Sequence, residues 1–162
     1  MSNDQVVREQ LLFLLGGGNA HMSFDQAVAD FPMEAINSRA PNVDYSPWHL
    51  LEHIRIAQWD ILEFSRDPRH VSPEWPEGYW PAPQTQADQA KWEGTIASIR
   101  HDLQALQEMV EDPSTNLYGD LPHAPGYNIL REILLVADHN AYHIGELAIL
   151  RQVMGLWPGN SP

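Results

Sequence analysis

Asn128-Ile129-Leu130-Arg131-Glu132-Ile133-Leu134-Leu135-Val136-Ala137-Asp138-His139-Asn140-Ala141-Tyr142-His143-Ile144-Gly145-Glu146-Leu147-Ala148-Ile149-Leu150-Arg151-Gln152-Val153-Met154 is the stretch that decides the fold. It holds no proline, opens on an asparagine suited to an N-cap and stops before Gly155, so it reads as one long helix. Leu130, Leu134, Ala137, Ala141, Ile144 and Ala148 form its tightest apolar stripe. On a helical wheel His139 and His143 fall opposite that stripe, with Glu132, Glu146 and Leu150. They face solvent or a second cavity, and the neighbouring Val136 and Leu147 favour a partly buried cavity.

His139 and His143 stand at i and i+4, so their imidazoles point the same way about one turn apart. That spacing lets both reach one divalent ion at about 2.0–2.1 Å, the usual zinc–imidazole distance. The chain has eight histidines, so such a pair is weak evidence alone, and packed or solvated histidines are the competing reading. A third ligand is needed, and the candidate is His53 in Pro47-Trp48-His49-Leu50-Leu51-Glu52-His53. Three imidazoles with open positions is the pattern of a catalytic rather than a closed structural site.

The rest of the chain also reads as helices. Residues 4–15 are apolar-periodic and are closed by Gly16, Gly17 and Gly18. Ser23 with Gln26 forms a capping box for a short helix ending before Pro32, and residues 34–46 read as loop. Ser46-Pro47 opens a second main helix to about Ser65, with Leu50, Ile54, Ala57 and Ile61 as its core stripe and His53 on the flank. Residues 67–83 form a proline- and aromatic-rich loop whose Trp75, Tyr79 and Trp80 argue for packing over something. Thr85 with Asp88 opens a third long helix to about Glu111, with Trp92, Ile96, Ile99, Leu103, Leu106 and Val110 in phase. No alternating β pattern of useful length occurs. The expected class is all-α: a four-helix bundle with short additional helices and long loops, forming one domain over residues 1–162.

Composition narrows the partners. Nine Lys plus Arg against 22 Asp plus Glu give a formal net charge of −13, which opposes nucleic acid and anionic membrane as partners. The absence of cysteine excludes disulfides, thiolate nucleophiles and cysteine-ligated zinc within the chain. Leu11–Leu15 is too short to span a membrane and lacks a basic leader, so the expected location is cytoplasmic.

Tyr45-Ser46-Pro47-Trp48 through His53, Gln58-Trp59-Asp60-Ile61-Leu62, Gly78-Tyr79-Trp80-Pro81, Leu130-Arg131-Glu132-Ile133 and Asp138 to Glu146 together resemble the DinB-like (YfiT-type) metalloenzymes. The resemblance covers nearly the whole chain. It implies a four-helix bundle with a divalent metal (zinc, nickel or iron) on His53, His139 and His143, and a homodimer. Family members with known activity include S-transferases and isomerases that use low-molecular-weight thiols such as bacillithiol or mycothiol. The resemblance thus implies a metal-dependent enzyme acting on a small-molecule substrate, with a low-molecular-weight thiol as co-substrate. Metal-assisted hydrolysis and a non-catalytic metal or small-ligand binding module are the alternatives.

Other residues take supporting parts. Glu146, three residues after His143, is expected to orient a ligand imidazole or to act as a general base. His49 matches no family ligand and is expected at the surface or rim, with a fourth ligand as the competing reading. Asp60 lies two turns beyond His53, too far to share the ion, and is expected to pair with Arg131. Trp75, Tyr79 and Trp80 are expected to be loop-packing aromatics, with a substrate-lining role as the second reading. His21, His70, His101 and His123 are expected at the surface. His-Asn-Ala-Tyr-His lacks the glutamate of a zincin protease, and the paired Glu-x-x-His of di-iron bundles is absent.

Overall fold

Four long helices are set by their caps. In the computed structural model, which describes residues 2–159, α1 (Asn3–Gly16) is capped by Ser2 and closed by Gly17 at φ 62°, a left-handed conformation suited to glycine. The short α2 (Phe24–Val28) starts with the expected Ser23/Gln26 capping box. Ser46 caps α3 (Pro47–Arg66), Asp88 caps α4 (Gln89–Glu111) and Asn128 caps α5 (Ile129–Val153). The third long helix therefore begins after Asp88 rather than at Thr85, because Asp88 itself accepts the Lys91 N–H. Two 3-10 turns, Met33–Ala35 and Glu77–Tyr79, interrupt segments expected to be loop. Met1 and residues 160–162, part of the expected domain, lie outside the described residues.

α3 packs on α4 and α5, and α1 packs on the same two, so α1 and α3 lie diagonally across the bundle. The described residues contain no strand and no helix long and apolar enough to cross a membrane. The core has two apolar halves. One gathers Trp48, Leu51, Ile54, Trp92, Ile99, Ile144 and Leu147, and the other Leu11, Leu62, Leu106, Val110, Ile133 and Val136.

Between these halves runs a polar layer. Asn140 Nδ2 donates to Gln58 Oε1 at 2.7 Å, and Gln58 Nε2 donates to the Ile99 carbonyl at 2.7 Å, tying α5 to α3 and α3 to α4. His53 lies five residues before Gln58 on α3, and His139 and His143 flank this layer on α5.

The expected α5 stripe is corrected. The helix buries Ile129, Ile133, Val136, Ile144, Leu147 and Leu150, while Leu134 is exposed. His139 and His143 therefore lie next to the bundle-facing side, not opposite it. In α3, Ile61 is only partly buried, and Leu51 and Leu62 take the core positions.

Arg151 is fully buried. Its guanidinium donates to the carbonyls of Ala27, Asp30 and Leu156 and lies against the rings of Phe31 and Trp157. It joins the end of α5, the end of α2 and the C-terminal loop.

Asp102 is buried on α4, and burial raises its carboxyl above the ordinary carboxylate range despite His101, Arg55 and Arg66. The folded state thus holds this proton more tightly than the unfolded chain, so stability falls as pH rises through the raised value. Asp102→Asn is expected to stabilise the protein at pH 7 and to make no difference below the unfolded carboxylate range. Urea melts at pH 7 and pH 3 check this, and a destabilised variant at pH 7 would refute it.

Candidate metal centre

The centre is assembled from α3 and α5. His53 lies about a third of the way along α3, one turn after His49, and is 3% exposed. His139 and His143 project from successive turns of α5. The Nε2 atoms of His53 and His143 are 3.2 Å apart, and those of His139 and His53 are also 3.2 Å apart. Two nitrogens bound at about 2.1 Å to one ion, at roughly 90–110° to each other, stand about 3.0–3.4 Å apart. The spacing fits one ion touching all three, and ligating atoms of all three residues lie within 4.8 Å of one another.

Proton placement agrees with that fit. His53 Nδ1 donates to the Tyr79 carbonyl at 2.9 Å, and His143 Nδ1 donates to Glu146 Oε2 at 2.6 Å. With Nδ1 protonated, each ring turns an Nε2 lone pair toward the centre. Such lone pairs repel one another, and a cation relieves the repulsion. His139 Nδ1 is buried without a partner, as is the neighbouring Asn140 Oδ1. Burial lowers His139 to about 4, with His143 and His53 adding to the effect, and burial also lowers His53. Both rings are therefore neutral at neutral pH, the form that ligates a metal.

Glu146 orients His143 and is itself held. Its Oε1 accepts a hydrogen bond from the Tyr45 hydroxyl while Oε2 accepts one from His143 Nδ1. The His143 hydrogen bond keeps its carboxyl below the usual range against the opposing effect of burial. Burial and the Glu146 carboxylate push the Tyr45 hydroxyl up, so Tyr45 keeps its proton. Both carboxylate oxygens are engaged, which favours the orienting role over the general base. Sequence reading gave Tyr45 no part; it directly precedes the Ser46 cap, but only the packing of α3 on α5 brings it to Glu146.

The aromatic loop covers one side. The Trp80 ring stacks on His53 with centroids 4.0 Å apart and planes 4° from parallel, and Tyr45 packs against Trp80. Trp75, by contrast, is mostly exposed and touches Tyr79.

Several expectations are corrected. His49 is buried, not on the rim: its Nδ1 accepts the Ser46 N–H and its Nε2 donates to the Thr85 carbonyl. It completes the α3 capping box in place of the usual Glu or Gln, and both nitrogens are used, so a fourth-ligand role is left without a lone pair. Asp60 does not pair with Arg131. Its oxygens accept from His70 Nε2 at 2.7 Å and from the Tyr79 hydroxyl at 2.6 Å, while Arg131 pairs with Glu132. Burial, reinforced by Asp60, pushes the Tyr79 hydroxyl up to about 12. His70 is therefore not a free surface residue, and His123 is half-buried, donating to the Phe64 carbonyl. His21 and His101 are exposed as expected.

The sequence profile of the DinB superfamily matches residues 19–147, a span that includes all three histidines and Glu146. The chain belongs to the DinB superfamily. Comparison with curated proteins finds no match. Within this DinB-superfamily chain Glu146 holds the His143 ring, one of the three that could ligate an ion. Glu146→Gln is expected to weaken divalent-ion affinity about 10–100-fold, the usual cost of losing a partner behind a ligand. Competition with a chromophoric chelator measures it, and unchanged affinity would show that the Glu146–His143 contact plays no part in holding the ion.

Proposed function

We propose that this protein is a divalent-metal-dependent enzyme that holds its ion on His53, His139 and His143 and activates a low-molecular-weight thiol for S-transfer or isomerisation. The observation that carries the metal reading is the convergence of the three Nε2 atoms, with the opposite nitrogens of His53 and His143 committed as donors. When bound, the ion supplies Lewis acidity, lowering the pKa of a ligand such as a thiol.

The chain's own residues set the conditions for that chemistry. Three neutral imidazoles leave the ion's charge uncompensated, so an anionic sulfur is favoured at an open position, with the Glu146 carboxylate, one ring away, offsetting only part of that charge. Trp80 closes the His53 side against water, and the Tyr45–Glu146–His143 chain fixes the ring plane on the other side. The chain has no cysteine, so the reacting sulfur comes from the co-substrate. The thiol itself is supported by the family resemblance and by this charge argument.

The test uses cobalt-substituted protein and a panel of low-molecular-weight thiols that includes bacillithiol and mycothiol. A sulfur-to-cobalt charge-transfer band, with turnover when an electrophilic aryl halide is added, is the expected result. If no thiol changes the cobalt spectrum while nitrophenyl esters are hydrolysed in a metal-dependent way, the protein is a hydrolase. If a thiol binds and no electrophile turns over, it is a binding module.

A further inference from the structure

A second cavity lies along the same pair of helices, two turns from the histidines. Asp60 is seven residues beyond His53 on α3, and Glu132 is seven residues before His139 on α5, so both stand about 10 Å along the bundle from the metal centre. Asp60, Phe64, Tyr127, Arg131 and Glu132 are among the residues that line the cavity, whose volume is about 370 Å³. That volume falls in the range of small-molecule sites.

The floor is a carboxylate with spare capacity. Glu132 is 2% exposed, a costly place for an ionised group unless something answers its charge. Its Oε1 pairs with Arg131 Nη1, but among the described residues no donor reaches Oε2. Asp60, also buried, adds a second negative charge, with both oxygens already occupied by His70 and Tyr79. Two carboxyl groups therefore line this cavity beside one guanidinium. Phe64 and Tyr127 form an edge-to-face aromatic wall with centroids 5.4 Å apart.

Arg131 shows what the cavity holds well. Its guanidinium lies 4.4 Å over the Tyr127 ring while donating to Glu132, yet its side chain is 48% exposed and is not sealed in place. A cation on the aromatic face, bonded to the buried carboxylate, is an arrangement an incoming ammonium would reproduce. We propose that this cavity is a binding site for a small organic ammonium with an aromatic or apolar body, its N–H groups on Glu132 Oε2 and its body against Tyr127 and Phe64. The site is independent of the metal reading, since none of the three histidines lines it.

The probe is 2-phenylethylammonium, titrated into the full-length protein by NMR and calorimetry with and without added zinc, beside phenylacetate and 2-phenylethanol as anionic and neutral analogues. Saturable binding of the ammonium alone is expected, the same with and without zinc. Glu132→Gln, nearly isosteric, should weaken it at least about tenfold, as loss of a charge-assisted hydrogen bond requires. Arg131→Ala removes the internal cation and should leave binding equal or tighter. Tyr127→Leu provides a second variant that leaves the buried carboxylate in place, and it should also weaken binding. Absence of ammonium binding overturns the proposal. So does binding unchanged by Glu132→Gln and by Tyr127→Leu. Tighter binding of phenylacetate that disappears in Arg131→Ala would overturn it in favour of an anion site.

Discussion

Alanine at His53, His139 or His143 is expected to empty the centre, lowering the divalent-metal content from about one per chain to near zero after gel filtration. Each ring supplies one of three nitrogens, and two remaining imidazoles hold an ion poorly. The loss should exceed the roughly 10–100-fold cost of disturbing a group behind a ligand. His49→Ala is the contrasting variant. His49 uses Nδ1 and Nε2 to cap α3 and to bind the Thr85 carbonyl, so its loss should cost about 0.5–2 kcal/mol of stability and leave metal content unchanged. Elemental analysis alongside urea melts separates the two classes. Retained metal in a folded His139→Ala, His143→Ala double variant would sink the assignment, and equal metal loss in His49→Ala would make the site larger than three rings.

Arg151→Met is expected to give the largest loss of stability in the chain. The variant keeps the apolar stem but leaves the carbonyls of Ala27, Asp30 and Leu156 without their donor and removes the cation from between Phe31 and Trp157. Stranded buried acceptors cost about 1–3 kcal/mol each, and partial relaxation reduces the sum. A loss of about 3 kcal/mol would lower Tm by roughly 6–12 °C in a domain of this size. Arg151→Lys should rescue only part, since one ammonium lacks the fork that reaches three carbonyls. Arg151 lies two turns past His143, so metal per folded chain should not change; a stability loss below about 1 kcal/mol would show that water replaces the guanidinium readily.

What the sequence revealed depended on how local the physics was. Ser23/Gln26, Ser46-Pro47 and Asn128 marked helix starts correctly because a cap is a contact between residues two or three apart. The buried side of α5 was not legible. Ile129, Leu130, Ile133, Leu134, Leu135, Val136 and Ala137 are apolar almost all round, so a wheel offers several stripes and only neighbouring helices choose among them. Asp60 was misassigned because its partners His70 and Tyr79 come from a loop whose path no periodicity fixes. The three histidines came from a pair spacing plus a family likeness, and the structure brings their Nε2 atoms together. The ring of supports around them, Tyr45, Trp80 and the Tyr79 carbonyl, depends on contacts between distant parts of the chain.

His53 and His139 are 86 residues apart in the chain, yet their ring nitrogens meet between two helices. An unfolded chain keeps only the His139/His143 pair, and even that pair needs helix to align it. An ion held by all three rings would therefore require α3 docked on α5. It favours the native state by mass action, by about 2.7 kcal/mol when free ion stands 100-fold above its dissociation constant. The reverse holds for loss of structure: drawing α3 from α5 would split the three rings into one and two, so a bound ion would tie the docking of these two helices to its own affinity.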